Sequence, residues 1–207
     1  MLVTTSGIAL KEWAVIVEAL ARGQQCLLLR KGGIADPDET FELAHREFFL
    51  FPTFEHQRRE QIRPEFHPLF DEVVKRPPPA GPRAVVPPPL AAATGQVLLP
   101  LYAGVAGSWR VKKSEALSGL ERMHIWTRDF LATRLSYKPE IPTLAVLVRA
   151  YRLHKPPTIL NTPEYAGCKS WVPLAEPLPV DGAIPVIPNL QFRQLLEAAS
   201  AHFDAVA

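Results

Sequence analysis

The chain has 207 residues, 47% of them hydrophobic, with 23 basic and 21 acidic side chains and a formal charge of +2. That length and composition suit one large domain or two small ones with a proper core. The near-balance of charge excludes recognition of a polyanion by bulk electrostatics, so any anion site must be local. The two cysteines, Cys26 and Cys168, give neither a disulfide framework nor metal-ligand spacing. The start lacks a leader pattern, and no run approaches the roughly 18 apolar residues of a membrane span. The expectation is a cytoplasmic protein with reduced thiols and no membrane partner.

Taken in chain order, Thr5 or Ser6 can cap a helix from Ile8 to Arg22, because Leu10, Trp13, Ala14, Val17, Leu20 and Ala21 recur at helical spacing and Gly23 supplies the stop. CLLLR, residues 26 to 30, reads as a central strand ending at Lys31-Gly32-Gly33. An acidic loop, ADPDE, leads to a second strand over Glu47 to Phe51, ended by Pro52. The polar stretch that follows is helical in character and interrupted by Pro64 and Pro68. Residues 77 to 89, with seven prolines in thirteen positions, favour extended polyproline geometry and form a loop across a single domain spanning 1–207. The second half predicts a strand within VLLPLYAGVAGSWRV, a capped helix after Lys113-Ser114, and a helix from Thr127 to Leu135. A β-branched central strand over 143 to 153 follows, then GCKSWVPL, and last a helix from Asn189 to Val206. This order, without repeated strand-helix alternation, implies α+β: a mixed or barrel-like sheet flanked by N- and C-terminal helices.

Polar residues bracket the short apolar run FFLF: His45, Arg46 and Glu47 before it, Thr53, Glu55, His56 and Gln57 after it. Such bracketing suggests a lined pocket. One chemistry it could support is acid-base or metal-assisted hydrolysis by His45, Glu47 and His56, although no third metal ligand is spaced to join them and no metal is assigned. Structural hydrogen bonding at strand ends accounts for the same histidines. Cys168, beside Lys169, is the one candidate nucleophile, with an inert thiol as the plain reading. Asp36, Asp38 and Glu39 read as a solvated loop rather than a magnesium site.

Anion or base recognition has more material. Arg30, Lys31, Arg149 and Lys169 fall within or at the ends of strands, accompanied by Trp13, Trp109, Trp126 and Trp171. Arginine with aromatic rings is how single-stranded bases are held, and Gly32-Gly33 lets a backbone approach a ligand. The ligand-binding set is therefore Arg30, Lys31, Gly32, Gly33, His56, Gln57, Trp126, Lys169 and Trp171. Arg30, Lys31 and Lys169 would meet phosphate or base edges, Trp126 or Trp171 would stack, and His56 with Gln57 would read polar edges. The plain reading makes the tryptophans core residues and pairs Arg149 with Glu47 or Glu12.

The segments GIALKEWAVIVEAL, LLLRKGGI, HREFFLFPTFEHQ, HIWT, RLSYKP and YAGCKSWVPL together resemble a bacterial family, domain of unknown function 1802, over nearly the whole chain. That resemblance implies no activity, cofactor or catalytic residues. A helix leading through glycine into a strand that ends in arginine is also similar to the opening of the ASCH and EVE groups of PUA-like domains, whose β-barrel cleft binds RNA or modified bases. Gly23 and Arg30 match the ASCH pattern, while Gln25 and Leu28 stand where it has charged residues. The leading expectation is a protein that binds RNA, DNA or a nucleotide. The alternatives are a hydrolase or nuclease using His45, Glu47 and His56, and an interaction module using the proline-rich loop.

Overall fold

The computed structural model describes residues 2–32, 40–75 and 95–206. Gly33, the acidic loop and the proline-rich segment 77–89 lie outside the described residues. The sheet is built from β1 (Thr5–Trp13), β2 (Leu27–Arg30), β3 (Glu47–Thr53), β5 (Leu101–Val111), β6 (Thr143–Arg152) and β8 (Trp171–Pro179), hydrogen-bonded in the order β2-β6-β5-β3-β1-β8. A short β9 (Ile184–Pro185) pairs with β6 where β2 does not reach. The β1 and β3 pair is parallel and the other pairs are antiparallel, so the sheet is mixed. A separate ribbon joins β4 (Gln96–Leu98) to β7 (Thr158–Leu160). Among the described residues the fold has four α-helices: α1 (Ala14–Ala21), α2 (His67–Lys75), α3 (Arg128–Ser136) and α4 (Asn189–Val206).

The helix expected from Ile8 is half strand. Residues up to Trp13 form β1, held between β3 and β8, and only the second half is helical. Leu, Ala, Lys and Glu prefer helix intrinsically, but two ladders of backbone hydrogen bonds and the burial of Ala9 and Leu10 outweigh that preference. The predicted stop at Gly23 is where the helix ends. Gly23 takes a φ of 68°, its N–H bonds to the Leu20 carbonyl and that of Gln24 to Ala19, the paired closure that glycine permits. At the other end of α1, the Gln57 side-chain oxygen accepts from the Val15 N–H. The helix is apolar nearly all round because it packs on β3 and β6 on one side and on α2 on the other.

Three further expectations are corrected. CLLLR contributes an edge strand rather than a central one, since β2 pairs with β6 alone, and its apolar run reflects packing on both faces. Pro52 does not end β3, because there the strand is bordered by β1 alone and the β5 ladder has already stopped at Phe49. After Lys113 a 3₁₀ turn, Ser114–Leu117, replaces the predicted helix. The strand at 143–153 is central, and the terminal helix has its predicted bounds.

FFLF is buried because its residues alternate between two cores. Phe48 and Leu50 join the larger core with α1 and α2, while Phe49 and Phe51 pack with Tyr102, Tyr165 and Val172 on the other face. The sheet does not close into the barrel of the PUA-like expectation, since β2 and β8 do not pair. It nevertheless curls strongly. Three strands separate β2 from β1, which would set them about 19 Å apart in a flat sheet, yet the Arg30 guanidinium donates to the Lys11 carbonyl at 2.9 Å and to the Glu12 carboxylate at 3.1 Å. This ion pair is 13% and 8% exposed, so each charge depends on the other for solvation. Glu12→Ala should lower stability by about 3–5 kcal/mol in urea denaturation, and Glu12→Ala with Arg30→Met should recover much of it. A single-variant loss below about 1 kcal/mol would show that the pair does not hold the curl.

Candidate binding cleft

Where the curled sheet stays open, between β2 and the end of β1, lies a cavity of about 320 Å³. Its walls carry six cations, Lys11, Arg30, Lys31, Arg134, Lys138 and Lys169, against two carboxylates, Glu12 and Glu55. Most of these cations are held by carbonyls, which orient a charge without neutralising it. The Lys11 ammonium donates to the Gly167 carbonyl at 2.8 Å, that of Lys169 to Glu164, and the Arg134 guanidinium to Lys31 at 3.3 Å. Lys31 is buried and donates to the carbonyls of Leu135 and Tyr137, which close the C-terminus of α3, where a cation also suits the helix dipole.

The cations also act on one another. Burial, then the neighbouring Lys169, holds the Lys11 ammonium below the usual lysine range. Burial followed by Arg134 lowers Lys31, and burial followed by Arg30 lowers Arg134. Like charges are thus gathered in a partly desolvated space where each disfavours the ionised form of the next.

Aromatic rings form the opposite wall. Trp13 packs on Phe130 at 5.3 Å between centroids, Phe130 on Trp126 at 6.1 Å, and Trp126 on His124 at 5.5 Å in a stacked arrangement. Tyr137, 58% exposed, stands at the rim with the Lys138 ammonium 5.7 Å from its ring. Two rim residues, His56 and Lys138, have positive φ, 63° and 45°, conformations that non-glycine residues adopt at a cost.

Of the residues singled out from the sequence, Arg30, Lys31, Gly32, His56, Trp126 and Lys169 all line this cleft. Gln57 lies beside it with its oxygen engaged at the start of α1 and its buried Nε2 without a partner. Trp171 is elsewhere: its indole donates to the Glu42 carbonyl at 2.8 Å and its ring is enclosed by Phe41, His45 and Phe48. His45, Glu47 and His56 are not brought together, since His45 meets Trp171 edge-on, Glu47 lines a second cavity, and His56 lines the cleft. Among the described residues no three His, Cys, Asp or Glu side chains gather to hold a metal ion. Cys168 is exposed in the cleft wall, and Cys26 is buried with its thiol pushed up to about 12 by desolvation. Arg149 pairs with neither Glu47 nor Glu12; its guanidinium donates to Asn189.

Sequence reasoning missed Lys11, Trp13, Phe130, Arg134, Tyr137 and Lys138 as lining residues. Lys11 and Trp13 were hidden by the helical reading of β1. The others come from α3 and the turn after it, and only the curl of the sheet carries them to β1.

The fold is thus α+β, with an open mixed sheet and a cationic, aromatic cleft at its gap. The chain belongs to the family described as domain of unknown function (DUF1802), which it matches over residues 9–198. No curated protein and no solved structure matches it. Among the described residues no helix is long and apolar enough to cross a membrane.

Behind Trp126, away from the cavity lining, lies a titrating group. His124 is buried, neither ring nitrogen has a partner, and desolvation, with Arg63 adding to it, pushes its pKa down to about 4. The unfolded chain therefore binds a proton near pH 6.5 that the folded chain refuses. Stability should be full above about pH 6.5, fall as pH drops to about 4, and level off below, with a loss of up to about 3 kcal/mol. His124→Phe should flatten that interval in urea denaturation at a series of pH values; an unchanged slope would assign the acid sensitivity to other groups.

Proposed function

We propose that the cleft binds a nucleotide, free or as one unit of single-stranded RNA or DNA. The observation that carries this reading is the convergence of six cations and an aromatic wall on one cavity, in a chain whose overall charge is only +2. An ammonium has three donors. Lys11 and Lys169 each engage one carbonyl, which leaves donors for phosphate oxygens beside Arg30. Phe130 and Tyr137, backed by the buried Trp126, supply apolar and π surface for a base. A phosphate would relieve the mutual repulsion of the lysines and arginines, and a base would cover rings that otherwise meet water. Size points the same way: about 320 Å³ is at the small end of ligand pockets, roughly 300–1,000 Å³, and suits one nucleotide rather than a duplex.

Trp13 and Trp126 make the protein its own reporter. Titration with nucleoside monophosphates, diphosphates and a short oligothymidylate should change tryptophan fluorescence saturably with at least one of them. Lys11→Ala and Lys169→Ala should each weaken that binding by at least roughly tenfold, about 1.4 kcal/mol, with unchanged melting temperature. Wild-type affinity in a folded Lys169→Ala variant, or no response to any of the three probes, would sink the assignment.

A further inference from the structure

A second cavity, of about 650 Å³, lies over the sheet face that carries Tyr102, and its floor has an unusual arrangement of charge. On three neighbouring strands, Glu47 of β3 pairs with Gly104 of β5, and Gly104 pairs with Arg149 of β6. Residues directly opposite one another in a ladder share a face. A carboxylate and a guanidinium therefore rise on the same side of the sheet, on either flank of a residue without a side chain. Two strand spacings put their Cα atoms about 10 Å apart. A Cβ added to Gly104 would meet only the Glu47 Cγ, at 4.0 Å, so the space between the charges is open.

Neither charge is neutralised by the other. The Arg149 guanidinium lies 5.6 Å from the Tyr151 ring centroid and 5.2 Å from that of Phe192, donates to Asn189, and keeps a buried Nε with no acceptor. Glu47 uses one oxygen, Oε2, to accept from the Val3 N–H at 3.1 Å and the Tyr102 hydroxyl at 3.4 Å. Both groups are thus fixed by their neighbours with hydrogen-bonding capacity left over, a costly state for half-buried charges.

From this geometry we infer that the cavity over Gly104 is a second ligand site, for a small zwitterion such as a free α-amino acid. Its ammonium meets Glu47 and its carboxylate meets Arg149. An amino acid carries both charges on one short span, so it can make a charge-assisted hydrogen bond of about 2.8 Å at each end. A phosphate would face Glu47 and the nearby Asp181 against a single guanidinium, and a simple cation would leave Arg149 unanswered. Tyr151 and Phe192 give the ligand's side chain an apolar wall.

The test is calorimetric titration of the full chain with L-alanine, L-glutamine and L-arginine, beside acetate and methylammonium, which each carry one half of the charge pair. At least one amino acid should bind saturably, and neither single-charge probe should match it. Gly104→Val fills the space between the charges without a left-handed backbone to disturb; it should fold and weaken binding at least roughly tenfold. Should that variant not fold, Arg149→Gln gives the same comparison. No binding of any of the three amino acids at about 10 mM, undiminished binding in the folded variant, or equal binding of acetate or methylammonium would overturn the inference.

Discussion

The reach of Arg30 from β2 to β1 is the constraint on which this architecture rests. A seven-stranded sheet without closure has two open edges and a gap, and here the gap is spanned by side chains instead of a ladder. The Arg30–Glu12 pair gains little net energy from Coulomb attraction, because both charges lose water on burial. Its consequence is geometric. It fixes the distance between strands that are not hydrogen-bonded neighbours, and the Arg30 guanidinium also lies 5.1 Å from the Phe41 ring, which stacks on Trp171. The crossing segment around Phe41 and His45 is thereby attached to both sides of the gap.

The cleft follows from that geometry. Closing the gap fully would have left no cavity, and leaving it unspanned would have let β1 and β2 drift apart. Partial closure places the end of β1, the exit of β2, α3 and the 167–170 turn around one volume. Cations from four separate stretches of chain then converge, most of them held by carbonyls, with Arg30 paired to the Glu12 carboxylate as well. Structure alone has no use for that surplus of positive charge: it costs folding free energy, and its natural complement is an anion.

The second cavity shows a different economy of space. There a single glycine, Gly104, leaves open the space between two charges. The two cavities differ in chemistry accordingly, one surplus in cations and aromatic, the other balanced between a carboxylate and a guanidinium. His45, Glu47 and His56, close together in sequence, serve different surroundings, because only Glu47 lies in β3 while His45 precedes the strand and His56 follows it.

Much of this protein was legible without coordinates. Local pattern determined the α+β class, the helix in the second half of the 8–22 stretch and its glycine stop, the FFLF strand, the central strand over 143–153 and the terminal helix, because periodicity and turn chemistry act over a few residues. Six members of the cleft were also visible, since charges at strand ends beside glycine or tryptophan are out of place in a plain core. Only the tertiary structure decided that residues 5–13 are strand, that β2 is an edge, that Trp171 faces inward to Phe41, and that α3 lends Phe130 and Arg134 to the cleft lining. Each of these depends on which segments pair across the sheet and how far it curls. Those are long-range contacts, formed by hydrogen bonds and burial between residues as much as 174 positions apart, and no local window of the chain encodes them.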